Sequence, residues 1–203
     1  MSEPKDLYYV VLRGAGRQPI FTNDDDREHF TRVVAEQSAA CGVTVYSYCW
    51  LETEARLAVE LASVSISRFA QRVGKQHAQR MERDISLTGS HFEQKCRGIK
   101  VDGQTALLDL VRHIHLAPLK ARLTADPALY LWSSHRVYLG LAQAPWLATE
   151  PLLRYFTQSD GDALRGYMAF MGQAAENVEA IASQLELTGV RSTSRGSERP
   201  HKK

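Results

Sequence analysis

The sequence lacks the features that would place it in a membrane or in an oxidising compartment. No run of about 18 apolar residues occurs in the 203-residue chain, so no transmembrane helix is predicted. The opening MSEPKDLYYVV is polar before it becomes apolar, unlike a signal peptide. The three cysteines, Cys41, Cys49 and Cys96, form no CxxC pair, and their odd number favours reduced thiols. We therefore expect a cytoplasmic protein without membrane contact.

No charge of one sign dominates the chain, but charge is unevenly placed along it. The net charge is +2. Residues 1–63 carry 6 Lys and Arg against 10 Asp and Glu, residues 64–122 carry 11 against 5, and residues 123–203 carry 8 against 8. The basic middle third is compatible with phosphate binding, and equally with the solvated outside of two helices. Charge alone leaves both interpretations open.

The hydrophobic pattern predicts an α+β fold, an antiparallel sheet with helices on one face. The order is strand, helix, strand, strand, helix, strand, helix, over segments 7–12, 22–42, 43–50, 55–61, 65–84, a strand within 89–103, and 105–123. We expect a main domain over residues 1–140. Residues 141–187 are predicted as a C-terminal helical extension, and the Ser/Arg/Lys-rich residues 188–203 as a disordered basic tail.

The segment YSYCWLETEARLAVEL places charged residues inside an apolar strand pattern. Glu52, Glu54, Arg56 and Glu60 share one parity, with a turn expected near Glu52–Thr53. One interpretation is a half-buried strand with a solvated face. The other is a strand face that points into a site. An Arg56–Glu54 or Arg56–Glu52 pair would then fill that site with an ionic network, or Arg56 would hold a phosphate.

Four segments together resemble the REP-associated tyrosine transposases, which belong to the single-strand DNA transposases. They are YYVVLRGAGRQPIF, YSYCWLETEARLAVEL, LVRHIHLAPLKARLTADPALYLWSSHRVYLG and PWLATEPLLRYF, within residues 7–175. The most specific piece is RHIHLAPLKARLTADPALYLWSSHRVYLG, which is similar to R-Y-I-H-L-N-P followed by P-x-x-Y-x-W-S-S in the family. The resemblance implies a ferredoxin-like fold of the transposase type.

The resemblance also implies a chemistry: DNA transposition by nicking single-stranded DNA near hairpins. In the family, two histidines on a strand bind Mg²⁺ or Mn²⁺, and a tyrosine on a helix attacks the phosphate. In this sequence the two histidine positions are Glu54 and Arg56, the tyrosine position is His113, and the polar position one turn later is Ala117. Glu54 is the one plausible remaining metal ligand, because arginine has no acceptor atom. We therefore expect a degenerate active site with no metal cofactor.

Several further residues have competing interpretations. Arg13, Arg17, Arg56, Lys95, Arg97 and Lys100 match positions where the family contacts DNA, or else form ordinary polar surface. His113 and His115 lie two apart on a predicted helix, so their imidazoles diverge and do not form a metal pair. His115 fits a hydrogen-bonded core histidine, although a nucleophilic role for His113 stays open. Tyr130, Trp132 and Trp146 fit core anchors better than base-stacking residues, and Ser133 and Ser134 fit helix caps.

Taken together, the sequence predicts a protein that binds single-stranded hairpin DNA, such as REP hairpins, without cutting it. Two alternatives stay open: an active metal-dependent nickase with a rebuilt site, and a protein-interaction module that no longer binds DNA. We expect a monomer or homodimer in the bacterial cytoplasm, with nucleoid association as an open alternative.

Overall fold

The structure of the chain is a computed structural model. It describes residues 6–61, 64–84, 92, 97–101 and 104–172, without the side chains at positions 81–84, 97, 104 and 160. The predicted basic tail and residues 173–187 of the predicted C-terminal extension lie outside these residues. No helix within the described ranges is both long enough and apolar enough to cross a membrane.

The described strands form one four-stranded antiparallel sheet. Its strands are β1 (Asp6–Arg13), β2 (Thr44–Trp50), β3 (Glu54–Leu61) and β4 (Arg97–Val101), in the spatial order β2-β3-β1-β4. With one helix between β1 and β2 and another between β3 and β4, the chain follows the β-α-β-β-α-β pattern of ferredoxin-like folds. The predicted α+β class is confirmed, as is the turn between β2 and β3.

The two helices of this pattern pack on one face of the sheet. They are α1 (Asp24–Cys41) and α2 (Ile66–Asp84). The Phe30 ring of α1 meets Trp50 edge-on at 4.9 Å between centroids. On α2, Ile66 lies against Gly98, where a Cβ atom would come within 2.3 Å of its side chain. The missing side chain at position 98 thus allows α2 to approach the sheet closely.

The opposite face of the sheet is covered by α3 (Gln104–His115), which α4 (Ala117–Lys120) follows. The His113 ring of α3 packs edge-on against Tyr9 of β1, with centroids 5.5 Å apart. Register pairs Tyr9 with Ala58 and Val10 with Leu57, so Tyr9 points away from the α1–α2 face. The expected helices on one face are therefore α1 and α2, and α3 adds a layer that the sequence pattern did not reveal.

The C-terminal part of the described chain is tied to the outer edge of β2. Residues 132–134 run antiparallel to this strand, with hydrogen bonds from the Trp50 N–H to the Trp132 carbonyl (2.9 Å) and from the Ser134 N–H to the Tyr48 carbonyl (3.0 Å). Three short helices, α5 (His135–Tyr138), α6 (Glu150–Asp160) and α7 (Ala163–Gly172), complete the described fold.

The aromatic residues of this part act as anchors, as predicted. The Tyr130 hydroxyl donates to the Trp50 carbonyl at 2.7 Å, and Trp146 stacks on Tyr48 with centroids 5.4 Å apart. Trp132 is half-buried beneath the Arg27 guanidinium, which lies 5.7 Å from its ring centre.

Candidate functional site

The candidate site lies between the central strands of the sheet and α3. Register pairs Arg13 of β1 with Glu54 of β3, and Val11 with Arg56. Since alternate residues of a strand share a face, these side chains project toward α3 together with Tyr9. Glu54 and Arg56, which were predicted to stand at the two histidine positions of the family, thus share the face toward α3.

A single carboxylate joins two guanidiniums at this site. Arg13 Nε lies 2.8 Å from Glu54 Oε2, while Arg56 places Nε at 2.6 Å and Nη2 at 2.5 Å from Glu54 Oε1. The predicted Arg56–Glu54 pair is present, whereas Glu52 is exposed. Arg13 was not expected in the pair, because its strand is 41 residues away in sequence from Glu54.

His113 completes the cluster from the α3 side. Its Nε2 lies 3.2 Å from Arg56 Nη1 and 3.3 Å from the Tyr9 hydroxyl. Arginine can only donate, so Nε2 accepts and the ring proton belongs on Nδ1. Burial, reinforced by the charges of Arg56 and Lys120, lowers the pKa of His113 to about 3. The imidazole is therefore neutral at physiological pH and serves as an acceptor for Arg56.

The other groups of the cluster are held in single protonation states. Burial favours the neutral form of Glu54, but the two arginines outweigh it and hold the pKa of this carboxyl below its usual range. Burial alone would lower the pKa of Arg56, but Tyr9 and Glu54 raise it instead. Burial also raises the pKa of Tyr9 to about 12, so the phenol stays protonated. With two guanidiniums, one carboxylate and a neutral ring, this cluster carries one net positive charge.

The donor set does not fit a divalent cation. Both oxygens of Glu54 are engaged by guanidiniums, Arg56 has no acceptor atom, and Nε2 of His113 already accepts from Arg56. Ala117, at the family's polar position, is buried and has no ligating atom. Over the described ranges, no group of three or more His, Cys, Asp or Glu side chains is arranged to hold a metal ion.

The predicted DNA-contacting residues are not all gathered at this site. Arg13 and Arg56 are in the cluster, and Arg17 is exposed in the short 3₁₀ turn after β1. Lys100 pairs in register with Tyr8, on the α1–α2 face, and binds Asp6 at 2.8 Å. Arg97 is the register partner of Val11 in β4. The prediction for Lys95 lies outside the described residues.

A second polar network lies on the other side of α3. His115 contacts the Ser134 hydroxyl through Nε2 and the Tyr167 hydroxyl through Nδ1, both at 2.7 Å. The same Tyr167 oxygen lies 2.5 Å from His135 Nδ1. All four side chains are buried. His115 is a hydrogen-bonded core histidine, as predicted, and its imidazole points away from that of His113.

The serines of the WSS motif have structural roles that differ in detail from those predicted. Ser133 Oγ accepts from the His135 N–H at 3.2 Å, a local turn contact just before α5. Ser134 makes no side-chain cap, which corrects that prediction. Its hydroxyl instead accepts from the Tyr48 N–H at 2.8 Å and contacts His115, because it lies between the edge of β2 and α3.

Sequence reasoning missed two members of the site, Tyr9 and Lys120. Tyr9 could have been found by its position, because it lies four residues before Arg13 on the same strand and therefore shares its face. Lys120 lies seven residues after His113 in the α3–α4 segment, and its charge helps to lower the pKa of His113.

The comparisons with known proteins bear on the fold. A search of family models gives no match, and neither does a search of curated proteins. Among solved structures, the chain is similar to a REP-associated tyrosine transposase bound to a REP hairpin, with a TM-score of 0.55 and 14% identity over 73% of this chain and 87% of that one. The fold is transposase-like. A proposed transposase from Deinococcus radiodurans R1 has a TM-score of 0.42 and 11% identity over 59% and 89% of the two chains, too low to support an argument.

Proposed function

We propose that the protein binds single-stranded hairpin DNA on a transposase-like fold and does not cut it. The observation that carries this proposal is the Glu54 carboxylate bound by two guanidiniums at the family's metal position. A cluster with one surplus positive charge attracts a phosphate and repels a divalent cation. The site is thus suited to holding a DNA backbone and unsuited to metal-assisted attack on it.

The choice of hairpin DNA as the partner rests on the fold. A REP-associated tyrosine transposase of known structure with a similar fold is bound to a REP hairpin. In this chain, the nucleophile position holds His113, whose Nε2 is occupied as an acceptor for Arg56. A side chain used in this way has no free lone pair with which to attack phosphorus. We therefore assign recognition, and not strand transfer, to the site.

The test is incubation of purified protein with end-labelled hairpin oligonucleotides, with and without Mn²⁺. We expect a shifted band on native gels and intact DNA on denaturing gels. A cleaved or covalently attached product that is lost on changing His113 or Glu54 would show that the site is an active, rebuilt nickase. No shift at any salt concentration would favour a protein-interaction module.

A pair of charge-matched variants tests whether binding uses this cluster. Arg56→Gln should weaken hairpin binding and reduce the slope of log K against log salt by about 0.7 to 0.9, the value for one lost phosphate contact. Arg68→Gln removes the same charge from an exposed position on α2, beyond the opposite face of the sheet, and should leave the slope unchanged. Equal effects of the two variants would mean that the DNA does not contact this cluster.

A further inference from the structure

We infer that Arg13 and Arg56 form a phosphate-binding site in which Glu54 is a positioning residue, a carboxylate that organises the capture of an anion. The inference deepens the proposed function and rests on it for the source of the phosphate, the DNA backbone. The role is the reverse of the one this position has in a metal site, where its side chain would hold a cation. Three features of the cluster support it.

The first feature is the free end of Arg13. Glu54 contacts this guanidinium through Nε, and within the described part of the chain no hydrogen bond from its terminal nitrogens is found. The Arg13 side chain is 27% exposed, so its terminal N–H groups can reach a ligand. A guanidinium is planar, so fixing Nε also fixes the direction of the two terminal nitrogens. They form a pre-oriented fork of the kind that binds phosphate bidentately.

The second feature is the positive charge beside this fork. The Arg56 side chain is 19% exposed and is locked at three nitrogens, by Glu54 through Nε and Nη2 and by His113 through Nη1. The positive charge of Lys120 acts on the same region and contributes to the lowered pKa of His113. An anion bound by Arg13 is therefore attracted by the positive charge of Arg56 as well.

The third feature is that the Glu54 carboxylate binds one guanidinium with each of its two oxygens. Oε2 of Glu54 takes Arg13 and Oε1 takes Arg56. An amide has a single acceptor oxygen and turns two N–H donors toward the second arginine. Glu54→Gln would therefore release one guanidinium, although it also removes a negative charge from an anion site. Positioning and simple charge attraction predict opposite signs for this substitution.

The probe is inorganic phosphate, titrated at constant ionic strength with chloride while the melting temperature is recorded. A ligand that binds the folded state raises the melting temperature saturably. We expect such a rise for the unchanged chain. For Glu54→Gln we expect the midpoint to shift to about tenfold higher phosphate concentration, because one hydrogen bond to a charged group is lost. The matched control is Glu52→Gln, an exposed carboxylate two residues away, which should behave as the unchanged chain.

A second pair of variants keeps the charge and changes the shape. Arg13→Lys replaces the planar fork by a point charge and should weaken phosphate binding by about tenfold. Arg68→Lys makes the same change at an exposed position on α2, beyond the opposite face of the sheet, and should have no effect. This pair decides the question if Glu54→Gln does not fold.

The outcomes separate this inference from the proposed function. Equal or tighter phosphate binding by Glu54→Gln, or unchanged binding by Arg13→Lys, would overturn the positioning role. A linear, unsaturable rise in melting temperature for every variant would overturn the phosphate site, even if hairpin DNA still binds. Binding of neither phosphate nor hairpin DNA by the unchanged chain would overturn both.

Discussion

The two polar networks on either side of α3 differ in charge and in access to solvent. The Arg13–Glu54–Arg56–His113 cluster is charged and partly open, whereas the Ser134–His115–Tyr167–His135 network is neutral and buried. Yet both begin from histidines two residues apart on one helix. A rotation of about 200° sends one imidazole to the sheet and the other to the C-terminal segment.

This comparison shows how the surroundings of a histidine decide its role. His113 accepts a hydrogen bond from the Arg56 guanidinium, and this site keeps charged groups whose remaining N–H donors can bind a ligand. His115 meets hydroxyls, which satisfy both of its ring nitrogens and leave nothing for a ligand. We therefore expect changes in the buried network to cost stability and leave DNA binding intact. Changes in the charged cluster should weaken DNA binding at a smaller cost in stability.

The largest expected effect is loss of stability in mild acid. Burial lowers the pKa of His135 to about 4 and holds that of His115 well below the usual range of histidine. Below pH 6.5 the unfolded chain gains protons that the folded chain does not, so stability falls as the pH drops toward 4. Each such histidine contributes up to about 1.4 kcal/mol per pH unit.

Urea unfolding at pH 7.5 and pH 5.0 measures this acid effect. The window lies above the range where the carboxyl groups titrate, so the histidines dominate the change. His113, whose pKa is also lowered, to about 3, contributes in the same direction. Equal unfolding free energies at the two pH values would contradict the assignment of neutral, buried histidines.

A smaller loss is expected from Tyr167→Phe, which breaks the buried network. The substitution removes the hydroxyl shared by His115 and His135 and leaves two ring nitrogens without partners. Leaving such buried groups unpaired costs about 2 kcal/mol. Urea unfolding at pH 7.5 gives this figure, and hairpin binding measured well below the melting temperature should be unchanged. Loss of hairpin binding by a variant that still folds would contradict the purely structural role of the buried network.

The smallest stability effect is expected from His113→Phe in the charged cluster. The ring contact with Tyr9 is retained, but Arg56 Nη1 loses its acceptor. We expect a loss of about 1 kcal/mol, since the partly exposed guanidinium can turn to water. Hairpin binding should weaken, and the loss of stability between pH 7.5 and 5.0 should become shallower. Unchanged hairpin binding together with a large loss of stability would make His113 a purely structural residue.

Local contacts of the site were predictable from sequence, and long-range ones were not. The Glu54–Arg56 pair follows from two residues two apart on one strand, which share a face. Arg13 joins them only through the register of β1 with β3, which no local pattern fixes. The α3 helix shows its buried stripe by periodicity, but the stripe does not tell which sheet face it covers. The Tyr167–His115 contact spans 52 residues and had no signal.

The segment 132–134, which runs along the outer edge of β2, also limits how copies of this chain can associate. An open strand edge offers unpaired N–H and C=O groups to a second sheet. Here the Trp50 N–H donates to the Trp132 carbonyl, and the Tyr48 carbonyl accepts from the Ser134 N–H. The Val45 carbonyl accepts from the Ala148 N–H. Continuing the sheet into a second copy at this side would require these hydrogen bonds to break.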